Sequence, residues 1–133
     1  VLVCVDPTQV EKIWPHARLL LQSAFVGRQH DDTIEAIEAD VMSGASLLWI
    51  IWDGTGLLAA ATTKVMSSPT RKVLRVECAA GREMHRWLHL LRGIEDYGRE
   101  QGCAVCRIEG REGWKSWLPD YRQPHIVLEK ALT

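Results

Sequence analysis

Apolar and polar positions change period several times along the chain, and each change marks an element. Val3 and Val5 predict a short first strand. Asp6-Pro7-Thr8-Gln9 then reads as a helix start, with Asp as N-cap and Pro at the first helical position. Val10, Ile13, Trp14, Ala17, Leu20, Leu21 and Ala24 follow at helical spacing, and Pro15 inside that stripe predicts a kink or a split. After a polar loop at 27–30, Asp32 with Glu35 resembles a capping box, Ile34, Ile37 and Val41 form an apolar face, and Gly44 stops the helix. Glu35, Glu38 and Asp40 on its other face predict a solvated surface.

Residues 47–52 are apolar on both faces, so they predict a strand inside a covered sheet. Asp53-Gly54-Thr55-Gly56 is a turn, and residues 57–66 return as a second strand rich in alanine. In residues 72–79, Leu74, Val76 and Cys78 alternate with Arg75 and Glu77, which predicts a third strand with one polar face. Met84, Trp87, Leu88, Leu91, Ile94 and Tyr97 make an amphipathic stripe that predicts one long helix closed by Gly102. Residues 103–109 form the next strand, parallel to the previous one because a helix joins them. A short helix at 113–118 ends at Pro119, and residues 125–132 predict a last strand. The expected fold is α/β (α+β), one domain over residues 1–133. Its sheet is mixed and mostly antiparallel, with one parallel strand–helix–strand crossover and helices on both faces.

Composition narrows the function. At 133 residues, 47% hydrophobic and 25% charged, the chain has the make-up of a globular domain. No apolar run approaches a membrane span, and the first residues lack a signal-peptide pattern, so a cytoplasmic protein is expected. Residues 1–70 carry four Lys/Arg against eight Asp/Glu, and residues 71–133 carry twelve against nine, which sums to the net −1. An Arg-rich second half suits a phosphorylated ligand or a solvated basic face, and the balance is too mild for nucleic acid. Cys103-Ala104-Val105-Cys106 has metal or redox spacing, but a strand sends positions i and i+3 to opposite faces. His85 and His89 share a helical face without an evident third ligand, so no metal is expected.

The order of elements resembles that of the GNAT superfamily of acetyl-CoA-dependent N-acetyltransferases. Residues 71–133 carry the resemblance locally, in Gly110-Arg111-Glu112-Gly113-Trp114, Leu118-Pro119-Asp120-Tyr121 and Val127-Leu128-Glu129-Lys130. Within the superfamily the pattern is most similar to small phage- and prophage-type members. The resemblance implies acetyl-CoA as cosubstrate, its pantetheine arm held along residues 77–80. The pyrophosphate would lie at the following helix start, so the implied cofactor-binding residues are Cys78, Ala79, Ala80, Gly81, Arg82, Glu83, Met84, His85 and Arg86. The physics of a helix N-terminus, with Arg82 and Arg86 beside it, suits an anion independently. The family's glycine-rich loop is represented here by Gly81 alone, and Glu83 brings a negative charge.

Two residues are candidates for catalysis. Glu77, polar and near a strand end, is either an ion-pair partner of Arg75 or the general base that deprotonates an amine. Tyr121, just after the short helix, either packs the last turn or serves as general acid to the leaving thiolate, a role the resemblance implies. The implied function is acyl transfer to an amine, with the acceptor chosen by the first helices and residues 27–32. The alternative is a degenerate GNAT scaffold with a structural or partner-binding role, in a phage-derived particle; under either reading the last strand could pair across a homo-oligomer. An open, ligand-sized groove beside residues 77–80 would mark the enzyme, and a groove filled by Trp or Arg side chains the scaffold.

Overall fold

The computed structural model describes residues 1–25, 32–109 and 114–133. Five strands form one sheet in the order β1 (Leu2–Cys4), β2 (Leu47–Trp52), β3 (Leu57–Ser67), β4 (Lys72–Gly81) and β5 (Val105–Ile108). The first four pair antiparallel, and β4 pairs with β5 in parallel, from Val73 opposite Val105 to Val76 opposite Ile108. α1 (Val10–Leu21) and α2 (Ile34–Ser43) cover one face, where Trp14, Ala17, Leu21, Ile37 and Val41 meet Leu48, Ile50, Ala60 and Cys78. α3 (Leu91–Glu100) covers the other, setting Ile94 against Trp49, Ala61, Leu74 and Val76. A short α4 (Trp114–Trp117) follows β5. The mixed sheet with helices on both faces is the architecture expected from the sequence.

Several boundaries differ from the expected ones, each for a local reason. Asp6 does not cap α1; its Oδ1 accepts from the Thr8 amide and hydroxyl, closing a turn, and the helix begins at Val10. Pro15 does not split α1, which runs unbroken for 12 residues. The cap of α2 is Thr33, whose hydroxyl accepts from the Ala36 amide, while Asp32 turns to Arg75 at 3.0 Å. Gly44 ends α2 with φ +84°, a left-handed conformation that suits glycine. The outer face of α2 is not simply solvated. Glu38 accepts from the Trp14 indole and lies 3.3 Å from Arg18, and Asp40 lies 3.3 Å from Lys64 on β3. These contacts tie α2 to α1 and to the sheet.

Two larger corrections fall in the second half. The long helix expected from Met84 is instead two 3-10 turns, Met84–Arg86 and Leu88–Leu90, followed by α3 from Leu91. Glu83 sits at φ +52°, Trp87 at φ −127°, and the Trp87 indole donates to the Arg82 carbonyl at 2.8 Å. That bond and the burial of the ring against Ile51, Leu58 and Ala59 win over continuous helix. The last strand expected at 125–132 does not form: Ile126, Val127, Leu128 and Leu132 are 67–91% exposed, with no strand beside them among the described residues. An apolar run makes a strand only where it finds a pairing edge and a face to bury.

Candidate active site

The centre of the site is a fault in β4. β3 and β4 stay in register from Ser67 opposite Lys72 to Thr63 opposite Val76, but Thr62 lies opposite Cys78. Glu77 is the extra residue of a β-bulge. The bulge also switches the faces: Leu74 and Val76 point toward α3, whereas Cys78 and Ala80 point toward α1. Parallel pairing with β5 stops at Val76 opposite Ile108, immediately before the bulge. Beyond it β4 has no β5 partner among the described residues.

The backbone groups of that free edge can be assigned. The Arg82 amide donates to the Leu58 carbonyl at 2.9 Å, across β3. Amides alternate sides along an antiparallel strand, so Cys78 and Ala80 also face β3, while Ala79 and Gly81 face the open edge. This sharpens the expectation from sequence, which treated residues 78–80 as equivalent. Gly81 itself is required by packing. A Cβ there would stand 2.5 Å from the Ala59 Cβ and 2.7 Å from the Leu58 carbonyl oxygen.

A cleft opens where β4 and β5 part. Its cavity volume is about 20 Å³, and Glu77, Cys78, Ala79, Ile108, Glu109 and Trp114 are among its walls. Glu77 is only 7% exposed, and its Oε1 has no hydrogen-bond partner among the described residues. A buried carboxylate oxygen without a donor is costly, and such a cost is commonly retained at functional sites. Arg75 does not pair with Glu77. Its guanidinium lies 3.0 Å from Asp32 and 3.2 Å from Glu109. The Cys78 thiol, by contrast, is no nucleophile: burial pushes its pKa up to about 11, and it shares a 3.3 Å contact with the Thr62 hydroxyl.

The remaining sequence candidates lie around this centre. Met84, His85 and Arg86 form the first of the two 3-10 turns, with Glu83 as its cap, so the α-helix N-terminus expected for a pyrophosphate is absent there. The Arg82 guanidinium donates to the Leu57 carbonyl at 3.1 Å, and Arg86 pairs with Glu83 at 2.9 Å. Both arginines are exposed. The left-handed backbone at Glu83 costs a residue with a side chain about 1 kcal/mol, which glycine would avoid. Gly110, Arg111, Glu112, Gly113 and residues 27–31 fall outside the described residues. Among those described, no three His, Cys, Asp or Glu side chains gather as a metal site. No helix among them is long and apolar enough to cross a membrane.

Tyr121 is not brought to the cleft. Its hydroxyl donates to Glu95 Oε2 on α3 at 2.6 Å and contacts the Cys106 thiol. Burial, followed by these two contacts, raises the phenol pKa far above the ordinary tyrosine value. A raised acid keeps its proton in the folded chain while the unfolded chain ionises near pH 10. Its contribution to stability is therefore complete below pH 10 and is lost as pH rises beyond it. Tyr121→Phe is expected to cost about 1 kcal/mol at pH 7. Its deficit against wild type should shrink above pH 10, as read from urea unfolding at both pH values.

No family model and no curated protein matches the chain. Solved structures do. AAC(6')-Iy, in complex with the bisubstrate analogue CoA-S-monomethyl-acetylneamine, aligns at TM-score 0.71 and 13% identity over 100% of this chain and 97% of that one. Glucosamine-6-phosphate N-acetyltransferase from Arabidopsis thaliana aligns at 0.67 and 12%, over 100% and 98%. The fold is that of the GNAT acetyltransferases. An aminoglycoside acetyltransferase from an uncultured soil metagenomic sample, in complex with sisomicin, shares this GNAT fold at 0.70 and 10% over 100% and 96%. At these identities the likeness establishes the fold, and the chemistry of the site has to be argued from its own residues.

Proposed function

We propose that the chain is an acyl-CoA-dependent N-acyltransferase that acts on a primary amine. The observation that carries this reading is the buried, unpartnered Glu77 oxygen in the β4 bulge, beside a cleft with a free strand edge. The free amides of Ala79 and Gly81 suit a ligand that pairs as a strand would, which fits the amide-bearing pantetheine arm. Arg82 and Arg86, one strand end away, suit its phosphates once Arg86 exchanges the Glu83 carboxylate for them. Solved GNAT structures of the same fold, one holding a CoA-containing bisubstrate analogue, support the assignment.

Bound acyl-CoA supplies an acyl group activated as a thioester. Glu77 takes a proton from the entering ammonium, leaving a free amine to attack the carbonyl carbon. Open-edge amides of β4 polarise the carbonyl oxygen. The C–N bond forms as the C–S bond breaks, and the second proton of the amine ends on the departing thiolate. With acetyl-CoA and a panel of primary amines, free thiol should appear only when both substrates are present. Thiol release at the rate seen without protein, across the whole panel, would remove the proposal.

A further inference from the structure

The cleft carries more negative charge than its own side chains neutralise. Glu77 and Glu109 belong to its walls, and Asp32, just before the Thr33 cap of α2, joins them through Arg75. The Arg75 guanidinium lies 3.0 Å from Asp32 and 3.2 Å from Glu109, so two carboxylates share one cation. Glu77 is a third carboxylate, outside that pairing. Among the described residues this group therefore holds a net charge of −2. Both Glu77 and Asp32 act on the cleft: their charges add to burial in pushing up the Cys78 thiol, which is another of its walls.

An acidic surface group is ordinarily left to solvent, but Glu77 is not. It is 7% exposed, and its Oε1 finds no donor among the described residues, so the cost of burying it is offset only when a donor arrives. The space beside it, about 20 Å³, takes one group the size of a water molecule. A primary ammonium head is of that size and brings three donors; an alkylated one is larger and brings fewer. Asp32 and Glu109 differ from Glu77 in keeping 34% and 57% of their side-chain surface exposed. They make an acidic rim that faces solvent.

From this arrangement we infer that the acyl acceptor is an aliphatic di- or polyamine, with one ammonium entering at Glu77 and a second held outside against Asp32 and Glu109. The inference rests on the reading of the cleft as an acyltransferase site and specifies its acceptor. The outer cation takes no part in the reaction. Glu77 accepts a proton from the inner ammonium, the amide forms as the C–S bond breaks, and CoA leaves as the thiol. An acceptor with a carboxylate or phosphate at its far end meets like charge at the rim and is rejected by the same field.

Three acceptors of one length test this with acetyl-CoA: 1,4-diaminobutane, butylamine and 4-aminobutanoate, whose far ends are positive, apolar and negative. One exposed carboxylate favours a cation by up to about fivefold, so two should raise kcat/KM for the diamine about tenfold above butylamine. That gain is counted beyond the factor of about two that a second amine gives by number alone. The 4-aminobutanoate value should fall about tenfold below butylamine, and both ratios should shrink as ionic strength rises from about 0.02 to about 0.2 M. Glu109→Gln combined with Asp32→Asn should bring the diamine-to-butylamine ratio below about threefold. A purely structural loss would lower both rates alike and keep the ratio. Thermal unfolding identifies a double variant that fails to fold, in which case Glu109→Gln alone, at an exposed side chain, should still halve the ratio or more. If amines are acylated without preference for the diamine, the inference falls and the acyltransferase reading stands. A preference that survives the substitutions also overturns it, because the second cation then lies elsewhere. If neither these acceptors nor the wider panel release thiol above the rate without protein, the acyltransferase reading fails and takes the inference with it.

Discussion

Glu77→Gln is expected to lower kcat for amine acylation by about 10²–10⁴-fold while leaving the Kd for acetyl-CoA within about twofold. Glutamine keeps the size and shape of the side chain and removes only its capacity to accept the amine proton. The environment makes the position sensitive. Glu77 is the bulged residue of β4, nearly buried, with one oxygen unpartnered and Arg75 engaged by Asp32 and Glu109 instead. A carboxylate held for an ion pair would lose stability on this change; one held for proton transfer loses turnover. Steady-state rates with the best amine of the panel, set beside unfolding curves, separate the two. A kcat within threefold of wild type would end the role assigned to Glu77.

Trp87→Ala should destabilise the chain by about 3–5 kcal/mol, a large share of the stability of a domain this size. The indole is buried against Ile51, Leu58 and Ala59, and its N–H holds the carbonyl of Arg82. Removing it leaves a void beside Ile51, Leu58 and Ala59 and releases the turn that carries Met84, His85 and Arg86. Trp87→Phe keeps most of the packing and gives up the hydrogen bond, so its cost should be about 1 kcal/mol. Urea midpoints at constant m value measure both. Equal losses in the two variants would mean that the hydrogen bond, not the packing, holds the turn.

Much of the architecture was legible because it rests on local rules. The hairpin of β2 and β3 follows from two apolar runs around Asp53-Gly54-Thr55-Gly56, where Asp53 accepts from the Thr55 and Gly56 amides. The end of α2 follows from Gly44, and the crossover from β4 to β5 follows from one helix between two strands. The site was legible only in part. Alternation placed Glu77 on a polar face near a strand end, yet the bulge that makes it special depends on how Thr62 and Thr63 meet β4. Pairing register of that kind is a property of two distant segments, and neither carries it alone. The stripe from Met84 to Tyr97 fits an α-helix and a pair of 3-10 turns nearly equally, because both place residues three apart on one side. The bond from Trp87 back to Arg82 decides between them, and nothing in the periodicity announces it. Likewise 125–132 has the composition of a strand, but composition does not supply an edge to pair with.

The central claim is that an acyl-CoA arm lies along the free edge of β4, and amide chemical shifts of labelled protein titrated with acetyl-CoA test it directly. The account predicts that the Ala79 and Gly81 amides move most within β4, and that residues 72–75, already paired on both sides, move little. Saturable binding that leaves Ala79 and Gly81 unmoved, or no binding at millimolar acetyl-CoA, would contradict it.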